Sequence, residues 1–172
     1  PFIWHLFQAR PGGGGSSAGD GWPGAGEWQA AGGIKFGSLE VHEVRFPLFF
    51  RRHEFRPDSG GDGRYRGGPG GELELVIETT QPAVANTAGD GVTYGACGLL
   101  GGADGKPHSY WLESEGRPDR LLKTKETGVT LHPGDVIHAH SGGGGGWGAP
   151  SERATEARAL LAKACMAVSP GG

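Results

Sequence analysis

Residues 72–80, with the sequence ELELVIETT, decide the fold of this chain. Apolar and polar residues alternate along the stretch, which is the period of a β-strand with one buried face. Leu73, Leu75 and Ile77 therefore share a face, and we expect all three side chains to point into one core. The stretch predicts a protein built around β-sheet.

Flanking sequence extends the β pattern in both directions. On the N-terminal side, residues 39–50 show near-alternation, which predicts one long strand passing from core to solvent. Towards the C terminus, a hairpin is expected from residues 110–112 and 121–122, followed by short strands at 129–131 and 136–140. We therefore expect a mainly β fold over residues 38–140, in which glycine-rich loops connect a sheet or sandwich-like core.

A single helix is predicted at the C-terminal side, over residues 150–166. Ser151 is a suitable N-cap, Glu152 occupies the first turn, and Ala157, Leu160 and Leu161 begin an apolar stripe. The chain is thus expected to form one unit, residues 1–172. It starts at Pro1 without a methionine, and we expect both ends to be cut.

Composition narrows the class of protein. The chain has 36 glycines among 172 residues and a net charge of −3, so no excess of positive charge points to nucleic acid or an anionic membrane. No apolar run approaches the roughly 18 residues of a membrane span. Cys97 and Cys165 lie far apart, which is typical of a reducing, cytoplasmic compartment and provides no zinc knuckle.

The first candidate site is residues 58–68. Paired glycines can adopt positive φ and turn their N–H groups toward an anionic or carbonyl-bearing ligand, to which two arginines would add charge. A plain connection between strands is the alternative interpretation. The segment is not a P-loop, since no G-K-[S/T] follows the glycines. The candidate ligand-binding residues are Asp58, Ser59, Gly60, Gly61, Arg64, Arg66, Gly67 and Gly68.

The second candidate site is the glycine run at residues 142–148, from which we select Gly143, Gly144 and Gly145. It precedes the predicted helix, where backbone donors favour an anion or a carbonyl oxygen. A flexible linker is the alternative, although Trp147 is a large apolar anchor that linkers seldom carry. We expect both glycine runs to lie close together and to line one polar cleft with Arg64 or Arg66.

Two histidines form a weaker candidate for metal binding. His138 and His140 are two residues apart on a predicted strand and so share a face, as ligands in metal sites do. No third ligand stands at a suitable spacing, and histidines also alternate on half-exposed strands. We therefore predict no metal site, with these two residues as the candidates if one exists.

Several motifs in order resemble the hydantoinase B/oxoprolinase family, and the resemblance covers roughly residues 8 to 170. The string D-S-G-G-x-G-R-x-R-G-G, here residues 58–68, is distinctive. Departures include Ala149, where the family usually has Asp before the proline. The other matching segments are Glu40-Val41-His42-Glu43 with Phe46-Pro47-Leu48, Gly98-Leu99-Leu100-Gly101-Gly102, Leu131-His132-Pro133-Gly134-Asp135, the glycine run leading to Pro150 and Arg153, and Val168-Ser169-Pro170.

The resemblance implies part of the B-type subunit of an ATP-dependent cyclic amidohydrolase acting on hydantoins, 5-oxoproline or other lactams. Family members are several hundred residues long, so this chain corresponds to their C-terminal part and is expected to be inactive alone. ATP and Mg²⁺ are expected on a partner A-type subunit resembling actin-like ATPases. Related ATP-dependent ketone carboxylases share the architecture, so carboxylation is the alternative reaction. The catalytic residue is not identified.

Two further classes are less compatible with the sequence. An RGG-like nucleic-acid-binding protein is suggested by Arg66-Gly67-Gly68, but it needs repeated units and a basic surface. A cupin-like metal-binding barrel is suggested by Pro133-Gly134-Asp135 with His138 and His140, but it requires an upstream H-x-H…E cluster. Neither requirement is met here.

Overall fold

A computed structural model describes residues 2–4, 10–25, 37–155 and 157. Most of the predicted C-terminal helix, namely residues 156 and 158–166, lies outside the described residues, as do Cys165 and the Val168-Ser169-Pro170 motif. The part of that prediction that is described begins with a 3₁₀ turn, Pro150–Glu152, so Ser151 lies inside a turn and does not cap a helix.

The architecture is mainly β, as predicted. Five antiparallel strands form the main sheet in the order β1-β2-β7-β4-β5, and β3 pairs with β6 in a second, two-stranded sheet. The strands are β1 (Leu48–Phe55), β2 (Gly71–Ile77), β3 (Ala83–Thr87), β4 (Ser109–Ser114), β5 (Arg117–Leu121), β6 (Glu126–Leu131) and β7 (Val136–His140).

Strand β2 is the inner strand that the alternating sequence predicts. It pairs with β1 on one side and β7 on the other. Leu73, Leu75 and Ile77 are exposed by only 0%, 1% and 2%, which confirms that they point into one core. Burial of three such side chains is the main local reason that this segment is a strand and not a loop.

The predicted long strand over residues 39–50 is wrong in its first half, because Leu39–Arg45 forms helix α1. Ser38 caps the helix by accepting a hydrogen bond from the Val41 N–H, and the strand starts only at Leu48. The inward helical face consists of Leu39, His42, Glu43 and Phe46, at the spacing i, i+3, i+4 and i+7.

Two of the four inward-facing residues, His42 and Glu43, are polar, so the apolar residues alone do not show the helical period. The Glu43 carboxylate accepts a hydrogen bond from the Phe50 N–H at 2.8 Å, and His42 Nδ1 accepts one from Trp4 Nε1 at 3.0 Å.

In the described part of the chain, no helix has the length and apolar character needed to cross a membrane.

The turn at residues 132–135 carries the chain from the small sheet to the main sheet. Both predicted strands flanking it exist, but β6 pairs with β3 and β7 pairs with β2 and β4. Gly134 has φ 86°, and the Asp135 carboxylate accepts a hydrogen bond from the His132 N–H at 2.8 Å. Val129 and Leu131 of β6 join the same core as β2, so the two sheets share one core.

Candidate functional site: the glycine bundle

The chain leaves β7 as a run of five glycines, residues 142–146, which we call the glycine axis. All five residues are buried. Three other segments surround the axis and form hydrogen bonds with it: residues 12–15, 59–68 and 96–106. We call these segments, together with residues 142–148, the glycine bundle.

Hydrogen bonds along the axis repeat every three residues. Gly12 N–H donates to the Gly142 carbonyl at 2.8 Å, and Gly15 N–H donates to the Gly145 carbonyl at 2.9 Å. On another side the pairs are Gly143 N–H to the Lys106 carbonyl at 3.1 Å and Gly146 N–H to the Ala103 carbonyl at 2.9 Å. Three residues per turn is the repeat of polyproline II, a helix whose backbone is normally solvated. Here neighbouring segments of the same chain replace water as hydrogen-bond partners.

Close approach of backbones is the reason that these positions are glycine. A Cβ atom on Gly143 would lie 1.8 Å from the Ser59 carbonyl oxygen, and one on Gly144 would lie 1.9 Å from the Gly13 oxygen. The expectation that the paired glycines of residues 58–68 use positive φ is wrong. The described residue of that segment with φ in the left-handed region is Asp58, at 51°.

The two predicted glycine segments do lie together. Gly61 N–H donates to the Gly144 carbonyl at 2.8 Å, and Tyr65 and Trp147 exchange two backbone hydrogen bonds of 2.9 and 2.8 Å. Their shared surface is a packed backbone contact and not an open cleft. The N–H groups of Gly61, Gly67 and Gly68 all donate to carbonyls of the bundle, so a ligand does not need to satisfy them.

Ser59 belongs to the interior of the bundle. Its side chain is fully buried, where Oγ donates to the Arg56 carbonyl at 2.8 Å and accepts from the Gly70 N–H at 2.9 Å. Gly60 and the axis residues Gly143, Gly144 and Gly145 are likewise buried. These candidates are packed inside the bundle, where the Gly143 and Gly144 N–H groups donate to the carbonyls of Lys106 and Gly68.

Arg66 is committed to ion pairs within its own segment. Its guanidinium is only 15% exposed and lies 3.1 Å from the Asp58 carboxylate and 3.3 Å from that of Asp62. A side chain held by two carboxylates is poorly placed to bind an anionic ligand.

Arg64 is the available arginine. Its side chain is 48% exposed, its guanidinium lies 5.4 Å from the centre of the Tyr65 ring, and the Glu152 carboxylate stands 3.8 Å away. Trp147 lies beside Tyr65 with ring centres 5.8 Å apart, and the backbone of Leu99 pairs with Trp147. We call this group, with Leu100, the Arg64 end of the bundle. It combines one accessible cation with aromatic and aliphatic surface.

His138 and His140 share a sheet face, as predicted, and both contact Trp111. The His138 ring stacks on the indole at 4.6 Å, and the His140 ring meets it edge-on at the same distance. Glu113 holds His138 at 2.7 Å, and burial lowers the pKa of His140. Among the described residues, no group of three or more His, Cys, Asp or Glu is placed to hold a metal ion.

The sequence did not indicate an ion pair between residues that are far apart in the chain. Asp20 and Arg153 form two hydrogen bonds of 2.7 Å, although 133 positions separate them. Arg153 stands out in the sequence only through the family motif. Asp20 lies in a Gly- and Ser-rich stretch, where a carboxylate usually indicates a turn.

Known proteins resemble this chain over most of its length. The model of the family described as Hydantoinase B/oxoprolinase matches residues 4–150. The caprolactamase subunit beta of Pseudomonas jessenii is 32% identical over 154 residues, which are 86% of this chain and 26% of that protein. The 5-oxoprolinase 1 of Arabidopsis thaliana is 31% identical over 137 residues, 79% of this chain and 11% of that protein.

Solved structures share the fold. The crystal structure of the ATP-dependent caprolactamase from Pseudomonas jessenii superposes with a TM-score of 0.77 at 27% identity, covering 91% of this chain and 27% of that one. A nucleotide-free acetone carboxylase superposes with a TM-score of 0.75 at 21% identity, and the match covers 91% of this chain and 24% of that one. This likeness shows the fold alone. The chain spans about a quarter of these longer proteins, and it belongs to the hydantoinase B/oxoprolinase family.

Proposed function

We propose that this chain is part of the B-type subunit of an ATP-dependent enzyme that opens cyclic amides. Support comes from the relatives, which include a caprolactamase subunit and a 5-oxoprolinase. The single observation that carries the proposal within this chain is the Arg64 end. There, an accessible guanidinium stands beside apolar surface on a rigid support.

The chemistry of this end suits an activated lactam. If the amide oxygen is activated as a phosphate ester, the intermediate carries negative charge next to an apolar ring. A guanidinium binds such oxygens through two parallel hydrogen bonds. Tyr65, Trp147 and Leu99 supply surface for the ring methylenes. We therefore assign ligand binding in residues 58–68 and 142–148 to Arg64, with the glycines as its scaffold.

We propose that ATP and Mg²⁺ bind to a partner A-type subunit, so that the working enzyme is a hetero-oligomer. The glycine segments described here do not fit a nucleotide, because the N–H groups of Gly61, Gly67 and Gly68 donate within the bundle and no lysine follows the glycines in a phosphate-binding loop. A cytoplasmic location is supported by Cys97, an exposed free thiol that suits a reducing compartment.

The proposal is tested by assembling the complete B-type subunit with its partner and supplying ATP. ε-Caprolactam, 5-oxoproline and hydantoin are offered in turn, and ADP and the ring-opened amino acid are measured together. We expect ADP release that is coupled to ring opening of one of them. Coupled incorporation of labelled bicarbonate into acetone, without ring opening, would replace the proposed hydrolase with a carboxylase.

A further inference from the structure

Asp20 lies beside the bundle and links one of its segments, at Arg66, to Arg153. One oxygen of its carboxylate accepts hydrogen bonds from the Arg66 N–H at 2.8 Å and from Arg153 Nη1 at 2.7 Å. The other oxygen accepts from Arg153 Nη2, also at 2.7 Å. Two parallel hydrogen bonds between a guanidinium and a carboxylate fix the relative orientation of both groups. The Arg153 side chain is only 11% exposed, whereas the Asp20 side chain is 48% exposed, so the guanidinium is shielded and the carboxylate still meets solvent.

The pair also reaches the backbone of Arg64. Arg153 Nη1 donates a further hydrogen bond to the Arg64 carbonyl at 3.2 Å, while the Arg64 N–H donates to the Gly148 carbonyl at 3.1 Å. Both polar groups of the Arg64 backbone are therefore held, and Asp20 holds the N–H of Arg66 two residues later. By contrast, the Arg64 guanidinium is half exposed.

Both members of the pair are ionised at neutral pH. The hydrogen bond from Arg153 lowers the pKa of the Asp20 carboxyl, although partial burial opposes the shift. In turn, Asp20 raises the pKa of Arg153. The charges needed for the bidentate contact are thus present at neutral pH.

We infer that Asp20 and Arg153 are positioning residues, which hold the Arg64 backbone so that its guanidinium is presented to an anionic, phosphorylated ligand. Neither residue touches the ligand. The inference rests on the proposed function, because it assigns a purpose to the exposure of Arg64. An arginine whose backbone is already fixed loses less conformational entropy on binding than one on a mobile loop.

The test is binding of inorganic phosphate to the complete B-type subunit that contains this chain, measured by isothermal titration calorimetry, which also works when the Arg64 side chain is absent. The variants are Asp20→Asn, Arg153→Lys and Arg64→Ala, with Asp90→Asn as the matched control. Asp90 forms an exposed ion pair with Lys125 at 3.3 Å, outside the bundle. Amide exchange of Leu73 and Leu75 shows whether each variant keeps the core.

The sign of the Asp20→Asn effect separates positioning from electrostatics. Removing a carboxylate near Arg64 should strengthen phosphate binding if charge alone matters. We expect the opposite, a loss of about tenfold in affinity, as for one charge-assisted hydrogen bond. Arg153→Lys keeps the charge but not the bidentate geometry, so it should weaken binding in the same way. It also replaces Asp20→Asn if that variant does not fold.

The outcomes distinguish the inference from the proposed function. The inference and the proposed function are both supported if Arg64→Ala loses phosphate binding, Asp20→Asn or Arg153→Lys binds phosphate more weakly, and Asp90→Asn binds it with native affinity. Loss in Arg64→Ala with unchanged or tighter binding in the folded Asp20 and Arg153 variants overturns the inference alone. Phosphate binding by Arg64→Ala with native affinity overturns the assignment of Arg64, and the positioning role with it.

Discussion

Gly144 illustrates how closely the backbones of the bundle approach one another. A Cβ atom there would lie 1.9 Å from the Gly13 oxygen, and that oxygen is itself held by the Gly68 N–H. We predict that Gly144→Ala lowers the free energy of unfolding by about 3 kcal/mol or more, because relief requires one of the packed segments to move. Urea denaturation followed by circular dichroism measures the loss.

Gly14→Ala is the matched control for that prediction. Gly14 belongs to the same bundle, but the nearest atom to a Cβ there is the Gly145 oxygen at 3.8 Å, an ordinary contact. Its substitution should change the free energy of unfolding by no more than about 0.5 kcal/mol. Equal losses in the two variants would show that close approach is not the reason for glycine at position 144.

Leu100 occupies a backbone conformation that suits leucine poorly. It has φ 52° and Gly101 has φ 92°, in a turn closed by a hydrogen bond from Gly102 N–H to the Leu99 carbonyl at 3.0 Å. Two positive φ values define a turn that prefers Asn at its first central position. The Leu100 side chain is 74% exposed, so little packing offsets the strain.

We therefore predict that Leu100→Asn raises the free energy of unfolding by about 1 kcal/mol. Thermal and chemical denaturation provide the measurement. The comparison variant is Leu121→Asn, because Leu121 is equally exposed, at 75%, but lies in strand β5, where Asn is disfavoured. A gain at both positions would mean that removing exposed leucine, and not turn strain, explains the effect.

At the level of secondary structure, regular alternation was sufficient to predict β2 and the expected core positions. The same criterion failed at α1. There, His42 and Glu43 occupy the half-buried helical face together with Leu39, so the apolar residues alone did not show a helical period. The decisive signals were local ones, a Ser38 cap and Pro47 after the helix end, which the alternation of apolar residues concealed.

The glycine bundle was predictable in part. Its two glycine-rich segments and their contact follow from sequence, since ordered glycine runs require a packing partner. That these segments pack backbone against backbone does not follow from the sequence, because it depends on which segments are neighbours in space. For the same reason the Asp20–Arg153 pair was missed, as its members are 133 positions apart. Which arginine is accessible was decided by Asp58 and Asp62 in the fold.

Two histidines near the start of β4 and the end of β7, His108 and His140, should make the stability of the fold depend on pH. Burial, followed by the positive charge of Arg56, lowers the pKa of His108, whose Nδ1 is buried without a hydrogen-bond partner among the described residues. Burial also lowers the pKa of His140. A histidine with a lowered pKa favours the folded state fully above its ordinary value of 6.5, and this contribution is lost as pH falls toward the folded value.

We predict that the free energy of unfolding falls between pH 7.5 and pH 5.5, and that His108→Gln makes this fall shallower. These two values lie about one unit to either side of the ordinary pKa, and carboxylates titrate mainly below them. Chemical denaturation at both pH values measures the difference for each protein. An identical fall in both proteins would exclude His108 as a source.

At the scale of the whole molecule, the chain on its own should be inactive. It spans 26% of the caprolactamase subunit beta, and no lysine follows its glycine segments as in a phosphate-binding loop. We predict that the purified chain neither hydrolyses ATP nor opens hydantoin or 5-oxoproline. Sensitive detection of ADP and of the ring-opened product checks this. Turnover of either substrate, absent from an Arg64→Ala preparation, would contradict it.

The two arginines of residues 58–68 should behave differently in the complete enzyme. Arg66→Ala leaves Asp58 and Asp62 without their shared cation, so we expect a loss of stability. Arg64→Ala removes a side chain whose nearest carboxylate is 3.8 Å away, so stability should change little. Melting temperatures of the two variants provide the comparison, and a larger loss for Arg64→Ala would contradict the assignment of roles.

ATP-dependent turnover of the assembled enzyme carrying Arg64→Ala tests the central claim most directly, with Lys125→Ala as a control for loss of a surface cation. If the Arg64 end binds the activated substrate, turnover falls by about 100-fold, as for other removed donors of this kind, while the melting temperature stays native. The control retains full activity. Native turnover by Arg64→Ala would contradict the claim that this end of the glycine bundle is the substrate site.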